Sequence, residues 1–280
     1  MIIMNQQELV DKLLVAYKNL FTEQSAQGLL YWAQNKLSSP ETIVSPTIPF
    51  VGKNYLAQST KVLLYASAEN LSNYSDPKKG GWLDNDEVAI NRHRRWYNCS
   101  AEKKFFPNVH IAPISDGSLL IVLRYICEKL GIDMPTTPKE FMEAIAFANF
   151  GKFSIRTKSS NIDYPKDIEK LDCSMPYIKN DLEILKPDII VMFKTMYSTE
   201  RLKIDEAKGE AKIIGITQIN ARTVNTNLRK HYDLKNEEDL SQVIRDWYDI
   251  RNFHENKFKN RTHHNFLSVF TYLDNLPNLR

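Results

Sequence analysis

Residues 176–193 read Pro-Tyr-Ile-Lys-Asn-Asp-Leu-Glu-Ile-Leu-Lys-Pro-Asp-Ile-Ile-Val-Met-Phe, and the hydrophobic period changes once along them. From Pro176 to Lys186 the apolar positions Ile178, Leu182 and Leu185 fall on one helical face. Lys186-Pro187 then predicts a stop, because proline has no N–H to donate and crowds the residue before it. Asp188-Ile189-Ile190-Val191-Met192-Phe193 is short and almost wholly apolar, which predicts a strand buried on both faces. A helix feeding such a strand is the repeating unit of a parallel sheet.

The same signature recurs on either side. Lys61–Ala66, Ala144–Asn149 and Lys212–Thr217 are further short apolar runs and read as strands. Leu9, Leu13, Leu14, Tyr17, Leu20 and Phe21 mark a first helix, and a second is expected over Ala26–Leu37. Asp116-Gly117-Ser118 opens a helix carrying Leu119, Leu120, Leu123 and Ile126 and ending near Gly131. Two more helices close the chain, one with Leu240, Val243, Ile244 and Trp247, the other with Phe266, Val269, Phe270 and Leu273. Residues 157–172 read as a polar loop, and 72–108 as a long turn-rich insert. The expected fold is one α/β domain over 1–280, a three-layer α/β/α sandwich around a mostly parallel sheet of about four strands. Within it, 1–50 form a helical lead-in, 60–225 the core, and 236–280 the C-terminal helices.

Composition narrows the chemistry. Apolar residues make up 42% and charged residues 25%, enough for a sizeable core. No apolar run is long enough for a membrane span, and Met1–Glu8 lacks the basic start and apolar stretch of a secretory signal. Cys99, Cys127 and Cys173 form no CxxC or paired framework, so a reducing, cytoplasmic location is expected, without zinc. His263-His264 has no carboxylate or thiolate nearby to complete a metal site. With 9 glycines and no GxGxxG, GxxxxGK[ST] or GxSxG, dinucleotide, P-loop and nucleophile-elbow chemistries are disfavoured.

The net charge of +3 is modest, but its distribution is uneven. Arg92-His93-Arg94-Arg95-Trp96-Tyr97 and Lys103-Lys104-Phe105-Phe106 mix cations with flat rings, which suits a nucleic-acid strand with an exposed base. The plainer reading is a solvated helix face with a buried aromatic edge. In parallel sheets, ligands bind beyond the carboxyl ends of the strands. That rule selects Ser67-Ala68-Glu69-Asn70, Asn149 with Lys152, Lys194-Thr195, and Gln218-Ile219-Asn220.

Several of these strand ends resemble the uracil-DNA glycosylase superfamily. Phe147-Ala148-Asn149-Phe150-Gly151-Lys152 resembles its strand followed by Asn-x-x-Lys. Cys173-Ser174-Met175-Pro176-Tyr177-Ile178, followed by Glu183–Val191, resembles its cysteine-led helix ending in Leu-Lys-Pro before a strand. Val62–Ala66 running into Ser67-Ala68-Glu69-Asn70 resembles its first motif, without the usual Gly and Pro. Gln218, in Ile216–Arg222, occupies the place of the family histidine. The resemblance covers about residues 60–225.

The resemblance implies a monofunctional DNA glycosylase that hydrolyses the N-glycosidic bond of a flipped pyrimidine-like base, in repair or against foreign DNA. It also implies a monomer needing neither metal nor organic cofactor. Asn149 is the expected base reader, since one amide offers a donor and an acceptor to a pyrimidine edge; as a strand-end cap it needs no function. Glu69 is the expected carboxylate for the attacking water, with Asn70 able to orient it and Ser67 in the acidic place if the register slips. Gln218 could donate a neutral hydrogen bond to the leaving base. Tyr65 and Phe150 are candidate stacking surfaces, although such rings are usually core. Arg92, Arg94, Arg95, Lys152, Asn220 and Arg222 are the expected DNA contacts. The missing histidine and Gly-Pro turn point towards a modified base, such as a substituted cytosine. A catalytically inactive nucleic-acid-binding module with this fold, or an unrelated α/β hydrolase, remain alternatives.

Overall fold

The computed structural model describes residues 5–26, 46, 48–68, 117–152, 168–219, 228, 231, 237–247 and 259–279. It is an α/β fold around a mixed five-stranded sheet. The chain forms two compact units, the first from Met1–Arg95 and Ile145–Ile213, the second from Trp96–Ala144 and Ile214–Arg280.

The first unit opens with α1 (Gln6–Ala26), whose Leu9, Leu13, Tyr17 and Phe21 are buried, as its helical period requires. It continues through β1 (Phe50–Val51) and β2 (Val62–Ala68) and resumes at β3 (Ala146–Gly151). α4 (Ile168–Leu185), β4 (Ile189–Phe193), α5 (Lys194–Thr199) and α6 (Arg201–Ala207) follow, and the unit ends two residues into β5 (Lys212–Ile216). In the second unit α2 spans Gly117–Lys129 and α3 Pro138–Ala144.

Sheet order is β1-β3-β2-β4-β5. β2 is central and parallel to both neighbours, with Tyr65 opposite Ala148 and Leu63 opposite Ile190. β1 pairs antiparallel with β3, Phe50 lying opposite Phe147. All five residues of β4 are buried, as its continuous apolar run predicted. α1 packs on α4, and α4 packs on β3.

The second unit contains α2, α3, helical residues 242–247 and α7 (Lys259–Asp274). α2 ends at Lys129, near Gly131 as expected, and the φ of +66° at Gly131 is a left-handed position that glycine occupies without steric cost. α7 packs on α2, with the Tyr125 and Phe270 rings 4.5 Å apart and Tyr125 donating to Asp274 at 2.7 Å. Trp247 is 1% exposed, stacks edge-on against Phe141 and donates its indole N–H to the Thr136 carbonyl at 2.7 Å.

Expectations for the strand count, the start of α4 and the polar loop need correction. The sheet has five strands, because β1 is a two-residue edge too short to show a period. α4 begins at Ile168, not Pro176, so Pro176 sits inside the helix and part of the expected polar loop is helical. Polar composition alone does not distinguish a loop from a solvated helix start. Three short helices add to the expected elements: α3 precedes β3, and α5 and α6 fill the passage from β4 to β5. The expected helix over Ala26–Leu37 lies outside the described residues beyond Ala26. Among the described residues, no helix is long and apolar enough to cross a membrane.

Candidate functional site

In the first unit the carboxyl ends of β3, β2 and β4 lie side by side. Ala66 is level with Asn149 and Ala68 with Gly151, while Leu64 is level with Val191. The chain steps from β2 outward to β3 and then back across β2 to β4, so the strand order reverses between β2 and β4. In open α/β sheets such a reversal opens a crevice beyond the strand ends. Asn149 stands one strand away from it. In β3, whose other residues are buried, it alone is half-buried. A side-chain amide with partial access at a parallel strand end can offer both a donor and an acceptor to a ligand edge.

The other face of the same strand end carries a buried polar cluster. Side chains alternate along a strand, so Ala148, Phe150 and, just past the strand, Lys152 share the face of the neighbouring Tyr65. Lys152 is 0% exposed, and its Nζ donates to Oδ2 of Asp181, in α4, at 2.5 Å; Asp181 is also 0% exposed. The Tyr17 hydroxyl of α1 donates to Asp181 Oδ1 at 2.6 Å, and that of Tyr65 to Oδ2 at 2.9 Å. The ammonium lies 5.5 Å from the Tyr17 ring centroid and 5.4 Å from that of Tyr65. The Lys152 backbone N–H donates to Ser174 Oγ at 3.0 Å, and Ser174 is itself buried. Nearby, Tyr177 donates to Gln24 Oε1 at 2.9 Å, while Gln24 Nε2 donates to the Cys173 carbonyl at 3.1 Å and so ties α1 to α4.

Burial dominates the titration of this cluster. It pushes Asp181 up, opposed by the Lys152 ammonium and three hydrogen bonds, and pushes Lys152 down, opposed by Asp181. Tyr17 and Tyr65 are both raised well above the usual phenol, first by burial and then by the Asp181 charge. Removal from water and the facing carboxylate both disfavour a phenolate.

Lys152, expected at a phosphate, is therefore inside the protein with its charge facing a carboxylate of its own chain. Tyr65 and Phe150, expected as stacking surfaces, are 1% and 0% exposed, with ring centroids 5.8 Å apart. Lys194 and Thr195, at the end of β4, are exposed. Glu69, Asn70, Arg92, Arg94, Arg95, Asn220 and Arg222 lie outside the described residues. Sequence reasoning missed Asp181, Tyr17 and Ser174. Asp181 had a signal: at helical spacing it lies between Ile178 and Leu185, on the face already read as apolar, and a carboxylate there needs a buried partner.

In the second unit, Gln218 follows β5 and is half-buried. The preceding residue is fixed by its backbone, since Thr217 N–H donates to the Tyr272 hydroxyl of α7 at 3.0 Å. Among the described residues no group of histidine, cysteine, aspartate or glutamate is arranged to hold a metal ion. The chain matches no protein-family model and no curated protein.

Proposed function

We propose that this chain is a DNA glycosylase with the three-layer α/β/α architecture of the uracil-DNA glycosylase superfamily, acting on a flipped pyrimidine-like base, either uracil or a modified one. The observation that carries this reading is Asn149: a partly accessible amide at the carboxyl end of β3, level with Ala66 of the central parallel strand and one strand away from the strand-order reversal. In sequence, Asn149 with Lys152 resembles the family's Asn-x-x-Lys motif, and its amide suits a pyrimidine edge. Base removal needs a flipped nucleotide, a stabilised leaving base and an aimed water. In this proposal Asn149 reads the base, Glu69 and Asn70 handle the water, and Gln218 donates to the departing base. Arg92, Arg94, Arg95, Asn220 and Arg222 meet the DNA.

The test is a panel of oligonucleotides, each with uracil or one modified pyrimidine, incubated with protein and treated with alkali. Strand cleavage at one base, lost in Asn149→Ala, is expected. Absence of cleavage across the panel overturns the enzymatic assignment. Gln218 in the histidine place favours a second reading, a non-catalytic nucleic-acid-binding module. It predicts DNA retention in a mobility-shift assay that Glu69→Gln and Asn149→Ala leave unchanged.

A further inference from the structure

Resting on the reading of Asn149 as the base-reading amide, we propose that the Lys152–Asp181 pair is a positioning device that sets the direction of the Asn149 side chain. Four elements converge on it: Tyr17 from α1, Tyr65 from β2, Lys152 at the end of β3 and Asp181 from α4. Ser174 adds a bond to the backbone N–H of Lys152. A buried ion pair is seldom more stabilising than well-packed hydrocarbon of the same volume, and its best-attested use is to define register.

Register matters at this position. Asn149 and Lys152 are three residues apart and so lie on opposite faces of the strand line. A slip of one residue would turn Asn149 towards the α1 and α4 layer and Lys152 away from it. Aliphatic side chains could fill the same space at several depths and rotations. A lysine whose ammonium must reach one carboxylate, itself held by two phenols, is restricted to the depths and rotations that keep that contact. Anchoring Lys152 thus fixes the twist of the strand end, and with it where the Asn149 amide points.

The test compares wild type with the double variant Lys152→Met/Asp181→Leu, which replaces the pair by hydrocarbon. In ¹⁵N-labelled protein the Asn149 side-chain amide is assigned by its loss in Asn149→Asp, with the Gln58 amide, bonded to the Asn54 carbonyl, as control. Expected are one sharp Asn149 amide pair in wild type and shifted or multiple pairs in the folded double variant, with Gln58 unchanged. A single, unshifted Asn149 pair in a folded double variant overturns the proposal. On whichever oligonucleotide wild type cleaves, kcat should fall about tenfold to a hundredfold with KM nearly constant. If wild type cleaves none, the glycosylase reading fails while the amide spectrum still decides the positioning role. Should the double variant not fold, Tyr65→Phe, which removes one hydroxyl donor to Asp181, takes its place in the same comparison, and an unmoved Asn149 amide again overturns the proposal.

Discussion

The ammonium of Lys152 lies 2.5 Å from Oδ2 of Asp181, and neither side chain has any exposed surface. Removing one partner leaves an uncompensated buried charge. Lys152→Met and Asp181→Leu should each cost about 3–5 kcal/mol, whereas the double variant should be about as stable as wild type. Urea denaturation of the three variants checks this. A double variant as weak as the sum of the singles would show that the stability comes from packing around the pair.

Alkaline titration should expose the phenols. Tyr17 and Tyr65 have folded pKa values well above the ordinary 10.0, and burial also raises Tyr55, Tyr125 and Tyr177. The stability these groups contribute is fully present below pH 10. Above it, tyrosines of the unfolded chain lose protons that the folded ones keep, so stability falls as pH rises. Lys152, lowered by burial, works in the opposite direction, but as one group against five. Tyrosinate absorbance in native protein should therefore lag that in denaturant and finish in a cooperative step with unfolding. A smooth native titration of every tyrosine near pH 10 would refute the burial.

α4 hands over to β4 through a strained residue. Lys186 has φ +46°, a left-handed conformation unfavourable for a side chain with Cβ, and its N–H still donates to Leu182 at 3.0 Å. Lys186 is exposed, so Lys186→Gly loses little packing and should raise stability by about 1 kcal/mol. The converse is Gly131→Ala, where φ is +66° and, apart from Gly131 and its chain neighbours, no atom of the described residues lies within 4 Å of the added Cβ. It should cost about 1–2 kcal/mol through backbone strain alone. Thermal denaturation of both variants should move in opposite directions.

α3 should depend on its first turn. Thr137 Oγ1 donates to Glu140 Oε2 at 2.7 Å and accepts from the Glu140 N–H at 3.4 Å, with Pro138 at the first helical position. Thr137→Ala should cost about 1 kcal/mol, and Thr137→Ser should restore most of it. Equal loss in both variants would assign the effect to the threonine methyl instead of the hydroxyl.

Asn149→Ala should separate function from stability. The side chain is half-buried at a strand end, so its loss should move the urea midpoint little while removing any base-dependent activity or binding. A large fall in stability would favour the strand-end cap over the base reader.

Much of this fold was legible along the chain. The apolar runs at β2, β3, β4 and β5, the periods of α1 and α2, and the stop at Lys186-Pro187 all reflect local rules: alternation, helical repeat and proline's missing donor. Even α3 carries a readable Thr-Pro-Lys-Glu start, a capping pattern that precedes the stronger strand signal of β3. Which polar residues would meet was another matter. Asn149 and Lys152 look equivalent as strand-end polar groups, yet one is half-open and the other sealed against Asp181, Tyr17 and Tyr65. Local periodicity assigns a residue to a face of its own element. Which helix covers that face, and whether a carboxylate waits there, depends on packing between segments as far apart as Tyr17 and Asp181, and only the folded chain decides it.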